Sequence, residues 1–172
     1  MSAPTLTVVF MADNSLVGRA IRWFTASPVS HVALCAEFAG VRVLVHATVG
    51  GVQVTRRSTF LRKHRIVAEF YPKHPNALSL REAVDRIGER YDYAGLFGFL
   101  VVLLGRRLGK RIANPLASSH ATVCSELVVR AALRSGTLKS VCKLSPASST
   151  PFDVLLAMRS EVEVGLVSAV GD

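Results

Sequence analysis

The chain has no C-x-x-C pair, and its 172 residues include only three cysteines, Cys35, Cys124 and Cys142. That argues against a disulfide framework, a thioredoxin-type redox pair and a cysteine-rich zinc site, and for free thiols in a reducing compartment. A phosphate-cradling loop is also missing: Gly50-Gly51 and Gly95-x-x-Gly98 lack the spacing and the Lys-Ser/Thr that such a loop needs. There is no H-E-x-x-H, and no cofactor or metal is called for. Met1-Ser2-Ala3-Pro4 carries no basic n-region and the apolar run after it soon meets Asp13, so the expectation is no signal peptide and a cytoplasmic location. The longest apolar run, residues 94–104, is too short to span a bilayer unaided. Acidic residues are scarce, 12 against 21 Lys and Arg, and the net charge of +9 favours an anionic partner such as a phospholipid surface, nucleic acid or an acidic wall polymer. Aromatics are not interleaved with the basic patches, which leaves only a weak nucleic-acid signal.

The length suits one domain, 1–172, with a full core. Residues 6–11 read as a short buried strand. Asp13-Asn14-Ser15 caps a helix whose Leu16, Val17, Ala20, Ile21 and Phe24 share a face, and Ser27-Pro28 breaks it. Residues 31–38 and 41–48 read as strands joined by Ala39-Gly40. A two-residue turn there sets Phe38 opposite Val41, Glu37 opposite Arg42, Ala33 opposite His46 and His31 opposite Thr48. One face of this hairpin is then wholly apolar, from Val32 and Leu34 to Val45 and Ala47. The other, of exposed type, carries His31 and His46 as diagonal neighbours roughly 7–8 Å apart.

Residues 52–54 and 66–71 predict two more strands, and Ser79-Leu80-Arg81-Glu82 is a capping box that opens a helix supported by a Glu82–Arg86 pair. The stretch 94–104, apolar all round, predicts either a buried helix or a segment that dips into a bilayer, with Arg106, Arg107, Lys110 and Arg111 meeting an anionic membrane surface. A helix is predicted from about Ala121 to Ser135, with Thr122 or Ser119 as cap and Gly136 as left-handed stop. Pro151-Phe152-Asp153 begins a short helix, and residues 162–167 read as a last strand.

Cys124 lies near the start of the predicted helix, where main-chain N–H groups and the helix dipole lower a thiol's pKa and favour the nucleophilic thiolate. It also fits an i, i+3, i+4, i+7 apolar stripe with Leu127, Val128 and Ala131, and so reads equally as a small core residue. A cysteine nucleophile needs a base and a group that orients the base. His31 and His46, on one strand face, supply such a pair. His64 and His74 look solvent-exposed, and His120, four residues before Cys124, is the competing base.

Ser30-His31-Val32-Ala33-Leu34, Val45-His46-Ala47 before Gly50-Gly51-Val52, Tyr91-Asp92-Tyr93, and Val123-Cys124-Ser125-Glu126-Leu127-Val128, in that order, resemble a circularly permuted NlpC-type, papain-like cysteine hydrolase. The chain is most similar to the YiiX-like subgroup of bacteria and phages, with lecithin:retinol acyltransferase a more distant relative. In this permuted group the histidine strand precedes the cysteine helix. The resemblance spans roughly residues 5–158 and implies an α+β fold, a small antiparallel barrel-like sheet packed against helices. It implies Cys124 as nucleophile, His31 as general base and His46 as third polar residue, acting through an acyl-thioester. Hydrolysis of a peptide or peptidoglycan-type amide is the leading expectation. A lipid-directed acyl hydrolase or acyltransferase, or a non-catalytic binding module, are the alternatives.

Overall fold

The structure, a computed structural model, describes residues 6–48, 50–74, 79–90, 98, 101, 104–105, 108–110 and 123–170. Six strands form one open antiparallel sheet: β1 (Leu6–Asp13), β2 (His31–Phe38), β3 (Val41–Thr48), β4 (Gly51–Arg56), β5 (His64–Pro72) and β6 (Val167–Val170), in the order β4-β3-β2-β1-β5-β6. The helices are α1 (Leu16–Thr25), α2 (Arg57–Phe60), α3 (Leu80–Val84), α4 (Cys124–Ser135), α5 (Lys139–Cys142) and α6 (Pro151–Glu163). The α+β class expected from the sequence is what is seen, with the sheet open rather than closed into a barrel.

The β2–β3 hairpin has the expected register, Leu34↔Val45 through Phe38↔Val41. Its turn residues Ala39 and Gly40 have φ of 48° and 77°, the left-handed pair that matches the twist of a two-residue hairpin. Glu37 and Arg42 make the cross-strand ion pair at 3.3 Å. Val32, Leu34, Val45 and Ala47 face the main core, shared with Val8, Phe10 and Phe70 of the central strands, Leu127, Val128 and Ala131 of α4, and Leu155 and Met158 of α6. The opposite face is not of exposed type. Val9, Met11, Ala33, Cys35 and Leu44 are buried there in a second, smaller core closed by Phe60 of α2.

Helix α4 ends as predicted, Gly136 taking φ 70°. Its start is different. The N-cap is Val123, which gives no side-chain hydrogen bond, and Thr122 and Ser119 lie outside the described residues. Glu126, in the first turn, pairs with Arg130 at 2.7 Å. Ser79 caps α3, accepting from the Glu82 N–H, and Arg86 meets Glu82 at 2.9 Å. A full capping box between Thr150 and Asp153 starts α6. That helix runs to Glu163, so the last strand begins only at Val167, five residues later than the sequence pattern suggested. Val162 lies in the last turn of this helix and Val164 is its C-cap residue.

Most of the 94–111 stretch, Arg106, Arg107 and Arg111 included, lies outside the described residues. Of the apolar run 94–104, Gly98 is buried while Val101 and Leu104 are exposed, so the buried-helix expectation does not hold at the latter two; beyond it Leu108 and Lys110 are exposed. No helix among the described residues is long and apolar enough to cross a membrane.

Candidate active site

The β2–β3 ladder stops at Leu34↔Val45, although both strands continue to His31 and Thr48. Strand alternation, counted from the turn, directs the N–H groups of even-numbered β2 residues toward β3. With the ladder ended at Leu34↔Val45, the Val32 N–H acts on the Cys124 thiol and lowers its pKa. The N–H groups of Ser125 and Cys124 itself, at the start of α4, also act on it.

These donors lower the thiol's pKa, yet burial is the larger effect and the net shift is upward. Cys124 is only 8% exposed. The sequence expectation of a lowered pKa thus fails, because the helix start that supplies the N–H groups is packed into the main core rather than open to water.

His31 and His46 come together as expected, their ring centroids 5.5 Å apart and nearly perpendicular. Their surroundings were not legible. Phe60 stacks on His64 at 3.9 Å, meets His46 edge-on at 4.5 Å and lies 5.7 Å from His31. His64, expected in solvent, is half-buried and 6.3 Å from His31. It approaches Asp13 at 4.0 Å and hydrogen-bonds through Nδ1 to the Phe60 carbonyl at 3.1 Å. Asp13 and His64 are cross-strand partners in the β1–β5 pairing, a long-range contact with no local signal. His46 Nε2 hydrogen-bonds Thr55 Oγ1 at 3.1 Å. Thr55 was legible: carrying strand alternation through Gly50-Gly51 puts it on the His46 face. His74 is exposed, and His120 and Tyr91-Asp92-Tyr93 lie outside the described residues.

Burial, with the neighbouring His46 and His64, pulls His31 down to about 3. Burial, with His64, pulls His46 down to about 4. Both rings are neutral near pH 7, and each carries a buried nitrogen with no partner, Nε2 of His31 and Nδ1 of His46. Burial pushes the Asp13 carboxyl up, but hydrogen bonds from Ser15 and the nearby His64 and His31 outweigh it and hold it below its ordinary value.

No hydrogen bond joins Cys124 to either histidine. The imidazoles leave β2 and β3 toward Phe60, while the Cys124 side chain packs among the main-core residues. Among the described residues no group of three or more His, Cys, Asp or Glu side chains is arranged to hold a metal ion.

No protein-family model matches the chain, and no curated protein matches it in sequence. Among solved structures it is similar to the metalloprotein yiiX from Escherichia coli O157:H7 (DUF1105). The match covers 98% of this chain and 96% of that one, with a TM-score of 0.50 and 16% identity. At that identity the likeness is one of fold: the chain has a YiiX-like fold.

Proposed function

We propose that the protein is a cysteine-dependent hydrolase that cleaves an amide bond, of peptide or peptidoglycan type, through an acyl-thioester on Cys124. The observation that carries this reading is the pairing of His31 and His46, ring centroids 5.5 Å apart, on the strands against which the Cys124 helix packs, with the Val32 N–H of β2 acting on the Cys124 thiol. In the proposed reaction His31 takes the thiol proton as the sulfur attacks the carbonyl carbon. It then returns that proton to the leaving nitrogen as the C–N bond breaks, and water finally splits the thioester. His46, held by Thr55, orients His31. The N–H groups of Cys124 and of its neighbour Ser125 are the donors for the oxyanion. In the free protein the uncharged pair is favoured, since burial raises the thiol and lowers the imidazole. Substrate must therefore draw His31 and Cys124 together, a tightening common in such sites.

A lipid ester is the second substrate class, favoured by the exposed Leu104 and Leu108 beside Lys110. A metal-centred reading, prompted by the description of yiiX as a metalloprotein, fits this chain poorly. The Phe60 ring packs against His31, His46 and His64, and among the described residues no group of three such side chains is arranged to hold a metal ion.

The test is trapping of the acyl-enzyme. Brief exposure to a peptide p-nitroanilide or to a fatty-acyl p-nitrophenyl ester, followed by acid quench and intact mass measurement, should show one added acyl group on Cys124. It should vanish in Cys124→Ala and be strongly reduced in His31→Gln. Acylation that persists in Cys124→Ala rules the reading out, and the preferred donor separates the two substrate classes.

A further inference from the structure

Helix α1 docks the wrong way round for an ordinary amphipathic helix. At about 100° per residue, Trp23, Leu16, Ala20, Phe24 and Val17 fall within an arc of roughly 120°. That apolar arc should face the core. Instead the helix is buried through Gly18 and Ile21. Gly18 explains the orientation: a Cβ there would meet the Asp13 carbonyl oxygen at 2.6 Å, so only glycine lets this face sit against the end of β1. The apolar arc is left outward, with Leu16 83%, Trp23 63% and Val17 49% exposed.

Around it the charge has one sign. Arg19, Arg22 and Arg65 line the same shallow depression as Leu16, Trp23 and Phe24. No acidic residue occurs between Leu16 and Thr25. The nearest, Asp13, is engaged by Ser15 at 2.9 and 2.6 Å. An outward apolar arc with a tryptophan, flanked by arginines on a chain of net charge +9, is complementary to an anionic phospholipid surface. There the indole sits at headgroup depth and the guanidinium groups meet phosphates.

We infer that α1 is an interfacial anchor that lays Leu16, Val17 and Trp23 into an anionic lipid surface, with Arg19, Arg22 and Arg65 on the headgroups. This moves the membrane contact away from Arg106, Arg107, Lys110 and Arg111, where the sequence pattern set it. It is independent of the chemistry at Cys124. Ser30 Oγ accepts the Asp13 N–H at 2.9 Å, tying the root of α1 to the residue before His31, so the anchor holds the histidine cluster close to the surface it binds.

Trp23 is the chain's single tryptophan and reports its own environment. With the full chain, vesicles of phosphatidylcholine and phosphatidylglycerol should shift its emission to the blue, brominated lipid should quench it, and phosphatidylcholine alone should do neither. The shift should fade as salt is raised. In co-sedimentation, Arg19→Glu and Arg22→Glu should each weaken binding at least roughly fivefold, as expected for removing one cation from an anionic surface. Leu16→Ser should weaken it with no change in melting temperature, because that side chain is 83% exposed. Cys124→Ala should bind as the unaltered chain does, which keeps this result separate from the acyl-trapping one. Sedimentation without a shift in Trp23 emission would overturn the proposal, as would wild-type binding by the Arg→Glu variants. So would emission already blue without lipid, whether from self-association, seen by analytical ultracentrifugation, or from cover by another part of this chain.

Discussion

The Val32 N–H, one residue along β2 from His31, acts on the Cys124 thiol and lowers its pKa. Adjacent strand residues send their side chains to opposite faces, so this interaction reaches Cys124 in the main core from the strand whose His31 lies against Phe60 of the second. It depends on the ladder ending at Leu34↔Val45. Had Val32 paired with Ala47 in continuation of that register, no N–H would remain for the sulfur.

Thiol labelling at neutral pH should accordingly favour Cys142 over Cys124. Burial raises both thiols, and Cys142 is the more exposed of the two while Cys124 is buried. Iodoacetamide alkylation followed by peptide mass spectrometry should show Cys124 lagging near pH 7 and catching up only as the pH climbs above 9. Fast labelling of Cys124 at pH 7 would mean that the helix-start donors outweigh burial after all.

Acid should weaken the fold through the two buried imidazoles. Their folded pKa values, about 3 and about 4, lie below the ordinary 6.5, so the unfolded chain binds more protons in the interval between. Stability is complete above pH 6.5 and is lost as the pH falls toward 4, at up to about 1.4 kcal/mol per pH unit for each histidine. Urea melts at pH 7, 6 and 5 should show this slope, and His46→Asn should flatten it. An unchanged slope in that variant would place the acid sensitivity elsewhere.

The hairpin and the cysteine helix were legible because local rules determine them: Ala39-Gly40 imposes a register, and Gly136 stops α4. The same alternation identified the His31 and His46 face. It could not show that Arg57–Phe60 folds back over that face, nor that Asp13 and His64 meet through the β1–β5 pairing, since both depend on contacts distant in sequence. Nor could it show the pKa of Cys124, because a helix start lowers a thiol in water and burial raises it in a core. The orientation of α1 was misleading for a related reason. Its apolar arc is visible in the sequence, but the close approach at Gly18 that turns the arc outward is a packing contact.

Phe60 should be the main support of the histidine cluster. Its ring lies against His31, His46 and His64 at once and is 8% exposed. Phe60→Ala should cost about 3–5 kcal/mol, the usual penalty for emptying an aromatic site in a core. Phe60→Leu should cost much less. If urea unfolding shows both to be near neutral, the second core is not held together by this ring.

Thr55 separates an orienting role for His46 from a structural one. Its hydroxyl is the hydrogen-bond partner of His46 Nε2 at 3.1 Å, and His46 Nδ1 has none, so Thr55→Val leaves a buried imidazole without a fixed tautomer. The lost bond should lower stability by about 1–3 kcal/mol, the cost of stranding a buried polar atom. If His46 orients His31, the rate of Cys124 acylation should fall with KM unchanged, and Thr55→Ser, which restores the hydroxyl, should recover it. If His46 only fills space beside Phe60, Thr55→Val should melt earlier yet acylate at the wild-type rate at temperatures where it remains folded. Stopped-flow acylation measured beside thermal melts of the two variants distinguishes these outcomes, and a normal rate in a destabilised Thr55→Val removes His46 from the proposed machinery.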